Sequence, residues 1–184
     1  WGNNNAITYK EIFPLLKDDK MWTGYMSNAT CVFELPDFYE KWDEKTTNEM
    51  NNGRKYGKVT AITVFTNLEI NKRHEKLILY KTYNPEEYPK YDNYDAINVD
   101  KVADIPVDYK GVMGVPITFL DKYNPEQFEI IGLSSYIGCD DLYFFHRLPD
   151  NIQKQLIGGN AWMPVLHKNG TYFYSYRRLF VLYK

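Results

Sequence analysis

Pro164-Val165-Leu166-His167-Lys168-Asn169-Gly170-Thr171-Tyr172-Phe173-Tyr174-Ser175-Tyr176-Arg177-Arg178-Leu179-Phe180-Val181-Leu182-Tyr183 is the stretch that decides the fold class. Two runs rich in β-branched and aromatic residues flank Asn169-Gly170, the pair that best tolerates the positive φ angles of a type I′ turn. The stretch therefore predicts an antiparallel hairpin with arms Pro164–Lys168 and Thr171–Tyr183. Upstream, Thr30–Leu35, Lys58–Leu68 and Lys76–Tyr83 share that composition, the last two alternating in part, and predict further strands. Asn48–Gly57, with Asn51-Asn52-Gly53 inside it, reads as an exposed loop between two of them. Helices are few. Thr8-Tyr9-Lys10-Glu11 has capping-box spacing with Ile12, Leu15 and Leu16 at helical intervals, which predicts a helix over Tyr9–Lys17, kinked or begun late because of Pro14. Pro149–Leu156 predicts one more. The fold class that follows is α+β with mainly antiparallel sheet.

The chain has 184 residues, of which 44% are hydrophobic and 17% aromatic, enough to bury a real core in one compact body. Net charge is -2 and the pI near 6.0, so no overall positive field draws the chain to nucleic acid or anionic lipid, and any DNA binding must use a local patch. Cys31 and Cys139 match no metal-ligand spacing and are expected as free thiols in a reducing compartment. With His74, His146 and His167 they form no metal signature, so no metal is expected. Apolar runs all fall well short of the roughly 18 residues of a membrane span, and no signal peptide is visible, so no membrane association is expected.

One six-residue pattern occurs twice, as Tyr83-Asn84-Pro85-Glu86-Glu87-Tyr88 and as Tyr123-Asn124-Pro125-Glu126-Gln127-Phe128. Asn as a cap, Pro at the first position and Glu or Gln at the third suit a helical turn. An Asn-Pro-Pro-aromatic motif that grips an extruded base is the other reading, but two intervening residues push the ring out of register.

Asn93-Tyr94-Asp95-Ala96-Ile97-Asn98-Val99, Ile105-Pro106-Val107-Asp108-Tyr109 and the run Gly111-Val112-Met113-Gly114-Val115-Pro116-Ile117-Thr118-Phe119-Leu120-Asp121-Lys122-Tyr123 resemble the EcoRI-type adenine-specific DNA methyltransferase family. Asn5-Ala6-Ile7-Thr8-Tyr9-Lys10-Glu11-Ile12-Phe13 and Phe65-Thr66-Asn67-Leu68 resemble it in the same order. The resemblance implies an enzyme that methylates adenine N6 in duplex DNA with S-adenosylmethionine, as the modification half of a bacterial, cytoplasmic restriction system. In that family the Gly-rich cofactor loop and an Asn-Pro-Pro-Phe motif precede the Asn5–Tyr9 segment. This chain is thus expected to be the C-terminal, target-recognising portion, without catalytic residues, inactive without an N-terminal methyltransferase half. Gly111–Gly114 and Gly158-Gly159 lack the strand, loop and acidic partner of a dinucleotide fingerprint and read as turns. On family order, residues 1–68 supply the last helix and strands of a Rossmann-like sheet and residues 69–184 the recognition region, with an open strand edge that favours a homodimer or aggregation.

Base reading calls for Asn or Gln opposite adenine and Arg or Lys opposite guanine, and phosphate contact for Lys, Arg and hydroxyls. Lys122, Tyr123, Asn124 and Gln127 concentrate those types, as do Lys90, Tyr91 and Asn93, and both groups also fit polar turns. Arg177 and Arg178 point to opposite faces of a strand, one toward DNA and the other into an ion pair. Tyr172, Tyr174 and Tyr176 share one face, as half-buried core or as a stacking platform. Asn3, Asn4 and Asn5 stand where an open α/β sheet places ligands, as cofactor or base contacts, or else form a frayed end. The competing function is a non-catalytic, tyrosine-rich module for carbohydrate or protein.

Overall fold

A computed structural model describes residues 1–39, 49–51, 54–134, 142–156 and 158–184. The first part contains β1 (Gly2–Asn3), α1 (Phe13–Lys17), β2 (Trp22–Thr23), β3 (Ala29–Glu34), β4 (Glu49–Asn51), β5 (Arg54–Thr63) and β6 (Phe65–Thr66). After it come β7 (Ile97–Asn98), β8 (Met113–Pro116), β9 (Phe128–Leu133), α2 (Asp150–Gln153), β10 (Val165–Lys168), β11 (Thr171–Tyr174) and β12 (Arg178–Tyr183). This is a mixed α and β architecture with short helices, and every described ladder is antiparallel except β7 with β8.

The Asn169-Gly170 hairpin forms as its turn chemistry demands, with φ of 51° and 79° at the two residues and Lys168 opposite Thr171. Its second arm is not continuous. Among the described residues β11 pairs only with β10, Ser175 N–H donates to Pro164 O at 2.7 Å, and the chain then leaves for a second sheet of order β7-β8-β12-β9. Ser134 captures it there. Its Oγ accepts from Arg178 N at 2.8 Å and its N–H donates to Arg178 O at 2.9 Å.

In the N-terminal sheet, β5 carries β3 along one edge and β4 and β1 at the two ends of the other. The outer edge of β3 has no partner among the described residues. The stretch 48–57 is thus mostly strand rather than loop. β4 and β5 are the arms of a ladder closing at Asn51 and Arg54, although 48, 52 and 53 lie outside the described residues. Lys76–Tyr83, expected as a strand, holds only a bridge from Lys81 to Pro106. The Gln127 amide takes the place of a neighbouring strand, accepting from Leu77 N and donating to Leu77 O, both at 2.8 Å. Met113 and Gly114, read as part of a turn, lie in β8.

The first helix starts at Phe13 rather than Tyr9, with a 3-10 turn over Asn4–Thr8 ahead of it. Pro14 in its first turn lacks an N–H that would have no intrahelical partner anyway. α2 is the core of the predicted Pro149–Leu156 helix. No described helix is long and apolar enough to cross a membrane.

The largest apolar cluster joins Ile7, Phe13 and Leu16 to Val99, Met113, Phe119, Phe128 and Leu179, so both halves of the chain share one core. A second cluster stacks Tyr91, Tyr94, Phe144 and Phe180 on the other side of the β7-β8-β12-β9 sheet.

Candidate nucleic-acid interface

The three N-terminal asparagines have three different fates. Asn3 caps the 3-10 turn through Oδ1, which accepts from Asn5 N at 2.9 Å. Asn4 is buried, and its Oδ1 accepts from Thr63 Oγ1 at 2.8 Å, which ties β5 to the turn. Asn5 stays exposed and lines an open groove of about 650 Å³. The end is folded, not frayed.

Arg177 and Arg178 line the same groove, with Tyr176 beside them and Pro116, Ile117 and Met163 as apolar wall. The break between β11 and β12 explains the pairing. Arg177 stands outside both ladders, exposed, with Nη1 donating to Thr8 Oγ1 at 3.0 Å. Tyr176 is 85% exposed. It leaves the tyrosine stripe at the break, whereas Tyr172 and Tyr174 remain half-buried on the ribbon, Tyr172 stacked on His167.

Arg178 opens β12 and is only 6% exposed. A guanidinium stays charged at any ordinary pH, so burial requires a counter-charge. Nη2 finds it in Asp100 Oδ1 at 3.0 Å, while Nε is buried without a partner among the described residues. Asn98, two residues before Asp100 on the same face of an extended segment, donates from Nδ2 to that Oδ1 at 2.9 Å. Tyr91 Oη donates to Asn98 Oδ1 at 2.6 Å, which fixes the amide so that Nδ2 faces the carboxylate. Burial pushes the Tyr91 phenol well above its ordinary range despite Arg178 nearby, so it remains a donor.

The remaining sequence candidates separate into surface and interior. Lys90 is exposed, with Asp95 at 3.7 Å, and Lys122 is exposed beside a second groove that Lys72, Lys76 and Asp121 help to line. Asn93 is buried, donating from Nδ2 to Met163 O at 2.8 Å and accepting at Oδ1 from Val165 N at 2.9 Å. Both polar ends of that amide hold backbone, so neither is free for a base. Tyr123 lies in the main core, and burial raises its phenol far above the usual value. Asn124 caps its turn through Oδ1, which accepts from Glu126 N at 2.8 Å, and Asn84 does the same for Glu86 N at 3.0 Å. The helical-turn reading of the repeated pattern is therefore the one that forms. Asp100, Asn98 and Thr8 were not among the sequence candidates. Their signal, a polar pair at i and i+2 leading out of an apolar run, is legible only once β12 lies nearby.

The segment after β6 is fastened by charge. His74 is bracketed by Glu69 on Nε2 at 2.7 Å and Glu126 on Nδ1 at 3.1 Å, and the hydrogen bonds it donates, to Glu69 first and then to Glu126, raise its pKa above the ordinary 6.5. Glu69 is lowered from 4.5, chiefly by the hydrogen bond from His74. By linkage, the His74 contribution is complete below 6.5 and is lost as pH rises through the raised folded value, while that of Glu69 is complete above 4.5 and is lost in acid. The clasp is therefore tightest between those two pH values. Proton NMR should place the His74 titration above that of a free imidazole, with Glu126→Gln moving it back toward the ordinary value. An unchanged midpoint in Glu126→Gln would show that the bridge does not persist in solution.

Among the described residues no cluster of His, Cys, Asp and Glu could hold a metal ion, and Cys139 lies outside them. A Cβ on Gly114 would meet Tyr91 Oη at 2.6 Å, so a tyrosine fills that space, and Gly158 faces nothing within 4 Å.

A family model described as adenine-specific methyltransferase EcoRI matches residues 1–174. The chain is 45% identical over 151 residues to the Type II methyltransferase M.EcoRI of Escherichia coli, covering 80% of this chain and 46% of that protein. It is 41% identical over 133 residues to the Type II methyltransferase M.MpnI of Mycoplasma pneumoniae, covering 71% of this chain and 42% of the relative. Against the Type II methyltransferase M.MgeORF184P of Mycoplasma genitalium the identity is 43% over 136 residues, with 71% and 42% covered. The chain thus spans less than half the length of these curated relatives. No solved structure matches.

Proposed function

The chain belongs to the EcoRI adenine-specific methyltransferase family, and from that premise we propose that it is the part of such an enzyme that recognises duplex DNA. The intact enzyme transfers a methyl group from S-adenosylmethionine to adenine N6. Residues 1–68 continue the sheet of its Rossmann-like methyltransferase domain, and residues 69–184 form the target-recognition region. The cofactor loop and the Asn-Pro-Pro-Phe motif belong to a methyltransferase half outside this sequence, and no residue here is assigned to the cofactor. The observation that supports the reading best is the convergence of Asn5, Tyr176 and Arg177 on one groove. They supply an amide for base edges from near the start of the chain, and an exposed ring for stacking and a cation for phosphate from neighbouring positions near its end. Lys90 and Lys122 act as further phosphate contacts.

Fluorescence anisotropy with a randomised duplex at two or more salt concentrations tests it. Binding should weaken steeply with salt, and Arg177→Ala should lower the log-log slope by about 1 while weakening all sequences nearly equally. Salt-insensitive binding, or no binding, would overturn the recognition role for this chain.

A further inference from the structure

Asp100 has more around it than the neutralisation of Arg178 requires. Its side chain is 75% exposed, yet Oδ1 is held by two donors, Asn98 Nδ2 at 2.9 Å and Arg178 Nη2 at 3.0 Å. Both are buried, and Asn98 is itself fixed by Tyr91. Holding one oxygen leaves Oδ2 with no described partner at the groove that Asn5 and Arg177 also line. The result is a rigid acceptor on a surface whose other charged groups attract phosphate. A carboxylate there is unfavourable toward phosphate, and its chemistry fits the amino group of a base, since Asp and Glu accept from exocyclic amines in the major groove.

We propose that Asp100 is a specificity-determining residue, whose Oδ2 accepts a hydrogen bond from the exocyclic amine of one cytosine or adenine of the target duplex, with Asn98, Tyr91 and Arg178 as positioning residues. This rests on the DNA-recognition reading of the chain. Arg178 acts through Asp100, and Arg177 on the adjacent exposed position supplies the nearby phosphate contact.

The test is selection from a pool of randomised duplexes by the whole chain and by Asp100→Asn. In the variant Oδ1 can still accept from Asn98 and Arg178 while the outward atom changes from acceptor to amide donor; the buried Arg178 loses its counter-charge, so the variant is less stable and selection is run well below its unfolding transition. At one position the preference should pass from an amine-bearing base, cytosine or adenine, to guanine or thymine, by about ten-fold or more. The other positions and the salt slope should stay as they were. The base lost in the variant tells cytosine from adenine. Asp100→Glu, which keeps the charge beside Arg178 and moves it outward, should weaken the preference at that same position alone. If both variants select the same bases with the same strength as the parent chain, or if the parent binds duplexes with no sequence preference at any position, the role of Asp100 is overturned and the DNA-binding reading stands. If the parent chain retains no duplex at all, the DNA-binding reading itself has failed.

Discussion

Phe180→Ala should lower the stability of the chain by about 3–5 kcal/mol, the range for a large side chain removed from a filled core. Phe180 is fully buried in the middle of β12 and meets Tyr94, Phe144 and Tyr91 with ring centroids at 4.5, 5.0 and 6.3 Å. Two of these contacts are edge-on, with interplanar angles of 75° and 89°, so the ring is enclosed by partners that cannot simply slide inward. Domains of this kind have only about 5–15 kcal/mol in all, so the variant should unfold at a far lower urea concentration with its slope unchanged. A loss below about 1 kcal/mol would mean that the cluster collapses around the vacancy, a different packing from the one described.

Asn93→Ala should cost about 2–4 kcal/mol, because it strands the buried N–H of Val165, worth roughly 1–3 kcal/mol when unpaired, and releases the part-buried carbonyl of Met163, worth less. The loss would be of fold and not of base preference. Measured below the unfolding transition, the sequence preference of the surviving folded fraction should match that of the parent chain. A stable variant with altered preference would return Asn93 to the recognition surface, where its residue type first placed it.

Asn93 and Asn124 show why the site was less legible than the fold. Residue type marks an amide as able to read adenine, but a buried backbone asks for the same donor and acceptor, and only packing decides which is served. Asn169-Gly170 was unambiguous because the turn is local, whereas the break at Ser175–Arg177 depends on Ser134, more than forty residues away in sequence. The same local rule applied to Asn52-Gly53 would have called for a second hairpin where a loop was expected, since β4 and β5 lie on either side. Lys76–Tyr83 had strand composition, and a side-chain amide took the place of the neighbouring strand. Of the surface candidates, Arg177 and Asn5 share one groove because Thr8, near Asn5, accepts from Arg177 across 169 positions. No sequence periodicity carries that information.

The order β7-β8-β12-β9 places the latest-made of these strands inside the sheet, between two made earlier. During synthesis β8 and β9 must therefore wait with their facing edges unpaired until Arg178–Tyr183 is available. That interval is when an exposed edge invites aggregation or capture by a chaperone. It also means that Arg177 and Arg178 come to the groove together with the strand that closes the sheet. Until that strand is in place, a nascent chain would therefore present Asn5 without the Arg177 and Tyr176 that share its groove.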